Sequence, residues 1–523
     1  MLQAGLALYR RWLDAAWTKN PRLGLGLIIA SAALSILVGF AGPSAVALSV
    51  GQHGSFLPPW YVDANLNEWI AVPALWLGIC AGVAGLWICW RANNEGWHGQ
   101  PWRLYALGAA LSVGTCLVLP MTSADVLMYA AYGRLQVVGQ DPYEITPAMI
   151  FRQAYDPVLV DTERPWQDTP SVYGPVASAS QWLAATLGGE SMHDIVFWLQ
   201  MFALVPFLVI GLIALLLVGK DQVAQTRAVL FTVLNPLLIW AVLAGAHNEA
   251  FTLVFAVVAL ALLRKHPFWA GIGIGLAGTV KVSLVFYGLA MLWAYRRDWR
   301  KLAWLCLGAA IPLAAAYLLW EPQALLAAQR NTGYISGGSW APPVMALLTP
   351  LLGEPNAHWI VTHSGWVALV VVAWMLSRVL PNPRGHPGLV PGSGNGVRLG
   401  DDPLLTACRT AAILTAAWLL TSPYTLSWYD LITWVPLGLL ATSQLDSVLM
   451  WRGTWLSLAY VTGRSYAFSD SMLAASGVIR DWLCPAVQIF VVVGIVVWWW
   501  REGHELPRFR RLRRGWKAVR TQP

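Results

Sequence analysis

Long apolar runs constrain the fold of this chain more than any other feature. Eight of them approach the ~20 residues that a helix needs to cross a bilayer, at roughly 23–42, 69–90, 103–120, 195–219, 302–320, 359–380, 404–421 and 478–500. Six shorter runs lie at 228–244, 249–263, 268–280, 282–295, 429–443 and 452–463. The sequence therefore predicts an all-α polytopic membrane protein with about 12–14 membrane segments.

The charge content supports this prediction. Only 11% of the 523 residues are charged, against about 25% in soluble domains. That fraction is too small to coat a soluble surface of this size, so lipid must cover much of the protein. The six cysteines form no Cys-x-x-Cys pair, which is typical of small core residues and predicts neither a disulfide framework nor a metal site.

Clusters of Lys and Arg orient the predicted segments, because such clusters favour the cytoplasmic side. Residues 501–523 carry eight Lys or Arg against two Glu, and residues 1–22 carry four against one Asp. We expect both to be basic cytoplasmic ends of a single transmembrane domain that spans 23–500. The Pro- and Gly-rich stretch 381–403 is typical of a flexible cytoplasmic linker.

Two loops are then predicted on the external face. Residues about 120–194 carry nine acids but only three Arg, and this scarcity of basic residues favours the outer side. Pro and Gly within this segment fix the shape of the backbone, which indicates an ordered loop. The second loop, 321–358, has Gly333, Gly337 and Gly338 near its middle.

A pair of short helices is predicted around Lys281. About 30 residues separate the basic clusters Arg264-Lys265 and Arg296-Arg297. One crossing would leave a basic cluster outside, and two full crossings would need about 40 residues. Two helices of about 20 Å each, with their tip part-way through the outer leaflet, satisfy both constraints. Lys281 near that tip is either functional or a lysine that snorkels to the membrane surface.

The segment that begins at Asp125 has the pattern of an amphipathic helix. Asp125, Tyr129, Tyr132 and Gln136 share one face at spacings of 4, 3 and 4, and the opposite face is apolar. The pattern predicts a helix that lies on the outer membrane surface, with Ser123 as its N-cap. Asp125 itself is either a functional acid or a first-turn acid that favours the helix dipole.

Two further polar segments lie at external helix ends. His247-Asn248-Glu249 precedes a helix, so Asn248 and Glu249 either cap that helix or help to hold a hydroxyl-rich ligand. Residues 422–430 join two spans and contain Trp428 and Asp430. This segment is either a polar turn with interfacial aromatic residues or part of a binding site.

Three blocks together resemble the actinobacterial polyprenol-phosphate-mannose-dependent α-1,6-mannosyltransferases, which are GT-C glycosyltransferases. The blocks are Ser123-Ala124-Asp125 … Tyr129-Ala130-Ala131 … Gly133-Arg134-Leu135 … Gly139 … Asp141-Pro142-Tyr143, then Trp166 … Tyr173-Gly174-Pro175, then Gly245-Ala246-His247-Asn248-Glu249. The resemblance covers roughly residues 20–500. It implies a GT-C-like helical bundle in the cytoplasmic membrane, with an external active site.

The resemblance also implies a reaction and its catalytic base, and the candidates for binding follow from the polar segments described above. The donor would be a polyprenyl-phosphate mannose, the acceptor a lipid-anchored α-1,6-mannan, and Asp125 the catalytic base. For the donor phosphate the candidates are Lys281 first, then Arg134 and His247. The candidates for sugar or acceptor binding are Tyr129, Tyr132, Tyr173, Asn248, Glu249, Trp428 and Asp430. No ligand-spaced cluster calls for a metal, although the many external acids leave a divalent ion open.

Other functions remain open at this point. A transporter or lipid flippase would also need many spans and polar groups at membrane depth, although no internal repeat typical of transporters is evident. A GT-C enzyme with another sugar, such as arabinose, or another acceptor would share the same motifs. A non-catalytic membrane scaffold is a third possibility, against which the acidic, Trp- and Pro-rich external loop argues.

Overall fold

Helices carry the regular structure of the chain. The computed structural model describes residues 15–502, except 43, 45, 52–54, 63, 65, 165, 331–332, 382–401 and 462–467. The helices of eight or more residues are α1 Pro21–Ala41, α2 Glu68–Asn94, α3 Pro101–Cys116, α4 Asp125–Val137, α5 Pro175–Gly188, α6 Met192–Leu217, α7 Gln222–Phe231, α8 Glu249–Leu262, α9 Pro267–Val280, α10 Val285–Ala294, α11 Trp299–Ala314, α12 Gln323–Arg330, α13 Ala341–Leu352, α14 Glu354–Val379, α15 Pro403–Thr421, α16 Leu431–Gly438, α17 Gln444–Ala459, α18 Asp470–Gly477 and α19 Cys484–Glu502. No strand occurs within these described ranges.

Eight helical segments of the described chain are long and apolar enough to cross a membrane. They are Pro21–Ala41, Glu68–Asn94, Met192–Leu217, Gln222–Leu243, Trp299–Trp320, Glu354–Val379, Pro403–Thr421 and Asp470–Glu502. Three of these are composite, since Gln222–Leu243, Trp299–Trp320 and Asp470–Glu502 each include a π-helical turn. The all-α polytopic fold is thereby confirmed.

Individual segments differ from the predicted ones. The run at 103–120 forms the 16-residue helix α3, because the chain turns at Leu117. The short run at 228–244 belongs to the full-length segment Gln222–Leu243. Four shorter apolar helical segments accompany the eight long ones: Glu249–Leu262, Pro267–Val280, Val282–Ala294 and Ala341–Leu352. Most of the predicted linker 381–403, of the basic tail 501–523 and of the basic start 1–22 lies outside the described residues.

The two predicted external loops contain helices. Residues 120–194 include α4 and α5, and residues 321–358 include α12, α13 and the start of α14. Within 321–358, the apolar run Ala341–Leu352 forms a helix with prolines in its first turn. Pro at the start of a helix replaces a backbone N–H that would have no partner there.

The short helix pair around Lys281 is confirmed. α9 has 14 residues, or about 21 Å at 1.5 Å per residue. Lys281 follows in extended backbone, with φ −152° and ψ 130°. α9 packs closely on α11, where glycines such as Gly271 and Gly308 let the two backbones meet. α10 packs on α15 instead, so the pair splays apart and Lys281 lies at the break.

The prediction for α4 was wrong in one respect. Its residues from Val126 to Leu135 are all buried, because α5 and α6 cover the helix. A helix that rests on a membrane surface would instead keep one polar face in water. The apolar face predicted from the sequence meets protein, and the polar face meets other side chains of the same chain.

Candidate active site

Asp125 begins α4 and is reachable from outside the protein. Its side chain is 29% exposed. The N-cap of α4 is Ala124, one residue later than predicted. The Ser123 hydroxyl donates to Asp125 Oδ1 at 2.7 Å and accepts from the Asp125 backbone N–H at 3.0 Å. This short turn holds one carboxylate oxygen and leaves the other directed toward a neighbouring loop.

That neighbouring loop carries His247. The carbonyl of Ala244 accepts from the backbone N–H groups of Met121 and Thr122, which brings residues 244–248 against the start of the Asp125 segment. Ala246 then adopts the left-handed region, with φ 52°. A residue with a Cβ seldom takes this conformation, and here it turns His247 into the protein.

The His247 ring is fixed from several sides. It is fully buried and stacks on the Trp428 ring, with centroids 3.7 Å apart and planes 14° apart. Its Nδ1 lies 3.7 Å from Asp125 Oδ2 and 3.5 Å from the Tyr129 hydroxyl. Its Nε2 lies 3.5 Å from Thr122 Oγ1. These contacts direct one edge of the imidazole to the Asp125 carboxylate.

The protonation of His247 follows from this environment. Burial, and secondarily the positive charge of Lys281, lowers the pKa of the imidazole well below its usual range. The ring is therefore neutral at neutral pH and carries one N–H. A neutral ring with Nδ1 protonated can donate to Asp125 while Nε2 accepts from Thr122.

Lys281 pairs with Glu249, the first residue of α8. The Lys281 ammonium contacts Glu249 Oε1 in an ion pair and lies 4.3 Å from the centre of the Tyr429 ring. Such a position over an aromatic face is favourable for a cation. The Glu249 side chain is 3% exposed, whereas that of Lys281 is 22% exposed. Lys281 thus bridges the interior and the surface.

A groove of about 1090 Å³ opens beside Lys281. One part of its wall is apolar and comes from α10 and α14, with Val285, Phe286, Leu289, Trp366 and Leu369. The other part is aromatic and polar, with Tyr173, Tyr317, Tyr334, Tyr424 and Tyr429. Lys281 is the one Lys or Arg that lines this groove in the described part of the chain. The groove therefore combines an apolar wall with one basic side chain of the described chain.

Tyr173 connects the groove with the Asp125 region. It lines the groove, and its ring meets Tyr129 edge-on at 5.3 Å and Tyr132 at 6.3 Å. The Tyr132 hydroxyl donates to the Thr169 carbonyl at 3.0 Å. Desolvation first, and then the Asp125 carboxylate, raise the pKa of Tyr173 well above its usual range. Asp125 thus lies within electrostatic reach of a side chain that lines the groove.

Gly174 sets how closely Tyr173 approaches Lys281. It precedes α5, and a Cβ there would overlap the Thr279 carbonyl oxygen and lie 2.9 Å from the Tyr317 hydroxyl. The Gly174 backbone N–H also donates to the Val280 carbonyl at 3.1 Å. The end of α9 and the start of α5 therefore touch through backbone, two residues from Lys281.

We expect Gly174→Ala to destabilise the protein by about 1–3 kcal/mol, the usual cost of overpacking. A melting curve in detergent would measure this as a lower Tm. Gly26→Ala is the matched control, because a Cβ at Gly26 of α1 meets nothing within 4 Å. Equal Tm values for the two variants would contradict the close approach at Gly174.

Of the predicted site residues, only Lys281 and Tyr173 line the groove among the described residues, and two of the others are held in buried ion pairs. Arg134 is buried in α4 and pairs with Asp156 at 2.8 Å and Glu190 at 3.0 Å. Asp430 is also buried and pairs with Arg452 at 2.9 Å. Both pairs connect separate parts of the chain, and among the described residues the ion pair of Lys281 is with Glu249.

Asn248 and Glu249 keep unused hydrogen-bonding capacity. The Asn248 side-chain nitrogen and oxygen, and Glu249 Oε2, are buried and have no hydrogen-bond partner among the described residues. Buried polar atoms of this kind usually have a partner. Asn248 is the N-cap of α8, but its side chain makes no capping hydrogen bond.

Some residues of the region had no signal in the sequence. Tyr429 stands beside Trp428, and only the structure shows that it faces Lys281. Trp418 stacks on Tyr429 at 5.8 Å and lines the groove. Within the described residues, no group of three or more His, Cys, Asp or Glu could hold a metal ion.

The comparisons with known proteins agree with the resemblance in the sequence. Residues 25–297, just over half of the chain, match the family model described as "Alpha-(1->6)-mannopyranosyltransferase, N-terminal domain". This range contains Asp125, His247, Glu249 and Lys281. No solved structure matches the chain.

Several curated proteins are similar to parts of the chain. Alpha-(1->6)-mannopyranosyltransferase B of Corynebacterium glutamicum is 24% identical over 419 residues, which cover 73% of this chain and 65% of that protein. A probable alpha-(1->6)-mannopyranosyltransferase of Mycolicibacterium smegmatis is 33% identical over 26% of this chain and 24% of its own length. Alpha-(1->6)-mannopyranosyltransferase A of C. glutamicum is 26% identical over 34% of this chain and 36% of its own length.

The chain thus spans less than two thirds of the length of each of these three relatives. The family match itself extends over more than half of the chain and includes the region around Asp125 and Lys281. The chain belongs to the alpha-(1->6)-mannopyranosyltransferase family.

Proposed function

We propose that this protein transfers mannose from a polyprenyl-phosphate mannose to a hydroxyl of a growing, lipid-anchored α-1,6-mannan of the lipomannan type. One observation carries the proposal: a groove with an apolar wall is lined by one lysine, Lys281, and by Tyr173, whose pKa is raised in part by the partly exposed Asp125. An apolar groove lined by a cation suits a lipid phosphate, and a nearby carboxylate suits an acceptor hydroxyl.

The chemistry requires one base and one cationic site. A phosphate is already a good leaving group, so the reaction needs no general acid, in contrast to the paired carboxylates of glycosidases. Asp125 would take the proton of the acceptor hydroxyl as that oxygen attacks the anomeric carbon. Direct displacement inverts the configuration, so a β-linked donor gives an α-linked product.

Lys281 is the first candidate for the donor phosphate. Its ammonium would stabilise the charge that develops on the phosphate as the bond to the sugar breaks. The lipid would lie along the apolar wall formed by α10 and α14. Arg134 is engaged by Asp156 and Glu190, and His247 is neutral, so both rank behind Lys281.

His247 fits a supporting role at Asp125. A neutral imidazole that donates from Nδ1 would orient the carboxylate and keep it ionised, as a hydrogen bond to a charged form favours that form. Contacts of catalytic groups are often long before substrate binds, which suits the present 3.7 Å separation.

The sugar rings would bind among the aromatic side chains. The candidates are Tyr173, which lines the groove, and Tyr129 and Tyr132, whose rings contact it. Asn248, with its unpaired amide, is a candidate for sugar hydroxyls. Trp428 holds the His247 ring by stacking. We place the site on the external face of the cytoplasmic membrane, as the distribution of Lys and Arg predicts.

A transfer assay tests the proposal against a flippase. Purified protein in lipid vesicles is incubated with polyprenyl-phosphate mannose, labelled in the sugar, and an α-1,6-mannose oligosaccharide. We expect label in a longer oligosaccharide with a new α-1,6 linkage. Movement of labelled lipid across the vesicle membrane without transfer to the oligosaccharide would contradict the proposal and support a flippase.

A further inference from the structure

The Lys281–Glu249 pair has a charge balance that bears on which lipid phosphates can stay bound. Among the described residues, Glu249 is the one carboxylate that pairs with Lys281. The two charges sum to zero. The cation that lines the groove therefore already has its counterion, and a phosphate bound at Lys281 also experiences the charge of the buried Glu249 carboxylate behind it.

Glu249 cannot be left without Lys281. Its side chain is 3% exposed, and removal of the partner of a buried charge is strongly destabilising. The small cavity beside the pair, lined by Glu249, Thr252, Lys281 and Ser283, has a volume of about 10 Å³. Lys281 is the one Lys or Arg that lines this space in the described part of the chain, so no second basic side chain stands by to replace it. Lys281 must stay near Glu249 while it contacts a ligand.

We propose that Glu249 is a positioning residue for Lys281 whose charge favours a singly charged lipid phosphate and speeds release of the doubly charged product. This inference rests on the proposed function. Glu249 was a candidate for sugar binding from the sequence. Its ion pair instead puts it beside Lys281, the residue proposed to bind the donor phosphate.

The charges of donor and product differ in the proposed reaction. The donor is a phosphodiester with one negative charge. The bond between the anomeric carbon and the phosphate oxygen breaks, the acceptor oxygen bonds to that carbon, and the acceptor proton goes to Asp125. The polyprenyl phosphate that remains is a monoester, whose charge at pH 7 is about −1.5 to −2.

The Glu249 carboxylate acts differently on these two ligands. The energy between two charges is proportional to each of them, so Glu249 repels the product almost twice as strongly as the donor. Lys281 attracts the product more strongly by the same factor. The nearby carboxylate offsets that extra attraction, so the product gains little from its second charge and leaves.

Binding of lipid phosphates measures this effect. The ligands are a short-chain prenyl phosphate and its methyl ester, which carries one charge. In the wild-type protein we expect the two Kd values at pH 7.5 to agree within about threefold. A wild-type Kd for the doubly charged ligand more than about tenfold lower than that of the ester would overturn the proposal.

Glu249→Gln removes the negative charge and keeps the shape of the side chain. We expect the methyl ester to bind about threefold tighter and the prenyl phosphate about tenfold tighter. The change in log Kd is then about twice as large for the doubly charged ligand as for the singly charged one. In the transfer assay, inhibition by prenyl phosphate should strengthen and kcat should fall. Equal changes for both ligands, or weaker binding of both, would overturn the proposal.

Two further variants separate charge from shape. Glu249→Asp keeps the charge and should preserve the wild-type ratio of the two Kd values. Asp168→Asn removes an exposed acid that pairs with Arg152 at 2.8 Å, and it should also leave the ratio unchanged. A change of the ratio in either variant would contradict the charge argument. Absence of transfer by the wild type would instead contradict the proposed function, since the binding experiment needs no turnover.

Discussion

Replacement of Asp125 by Asn is expected to lower kcat about a thousandfold, because general bases contribute roughly 10²–10⁴ to a rate. Asn keeps the size of the side chain and can still accept from the Ser123 hydroxyl, so the start of α4 should persist. It cannot take a proton from the acceptor. Transfer of labelled mannose to an α-1,6-mannose oligosaccharide measures the loss.

A matched control accompanies this variant. Asp161→Asn removes an acid from the same predicted external segment, at the end of the short helix Leu159–Asp161. We expect it to keep near wild-type turnover. The donor Kd of the Asp125→Asn variant should stay within a few-fold of the wild-type value. Wild-type turnover by Asp125→Asn would exclude Asp125 as the base.

Replacement of Lys281 by Met should lower kcat/KM by about a hundredfold. A hydrogen bond to a charged group contributes about 1.5–3 kcal/mol, and about 1.4 kcal/mol corresponds to a factor of ten. The loss should appear both in the KM for the donor and in kcat, because Lys281 binds the phosphate and stabilises the charge that develops on it. Titration of the transfer assay with polyprenyl-phosphate mannose separates KM from kcat.

Two variants control for side effects of this change. Lys281→Met leaves Glu249 as a buried charge without its partner, so the double variant Lys281→Met/Glu249→Gln restores neutrality and should recover the Tm but not the donor affinity. Lys265→Met removes an exposed lysine from the predicted cytoplasmic turn before α9 and should change neither quantity. A wild-type KM in the double variant would show that the phosphate binds elsewhere.

The sequence could predict the features that depend on local pattern. Long apolar runs predicted the spanning helices, because a helix in lipid must hide its backbone polar groups within itself. The two basic clusters at 264–265 and 296–297 predicted a break near Lys281. The residues between them are too few for two full crossings, and a single crossing would leave one basic cluster outside. Asp125 was singled out by its motif, and the family match includes it.

The sequence could not predict what depends on distant contacts. The periodic pattern of α4 has an apolar face, and such a face is the same whether it meets lipid or other helices. Arg134 looked available for a phosphate, because its partners Asp156 and Glu190 follow about 20 and 56 residues later. The groove itself joins α10, α14 and residues 333–334, which no spacing in the sequence brings together.

The roles that we propose for Glu249 and His247 differ from those predicted from the sequence for the same reason. Both stand in one short polar segment, and the sequence assigned them to sugar and phosphate. The fold directs His247 inward to Asp125 and Trp428, while Glu249, two residues later, faces Lys281. The π-helical turn Ile239–Leu243 and the left-handed Ala246 produce this division, and neither has a signature in the sequence.

A structure of the Asp125→Asn variant with polyprenyl-phosphate mannose bound tests the central claim most directly. The account predicts that the phosphate lies within hydrogen-bonding distance of Lys281 Nζ, that the lipid follows the wall formed by α10 and α14, and that the anomeric carbon faces residue 125. A phosphate bound at Arg134, or a lipid that enters elsewhere than this groove, would contradict it.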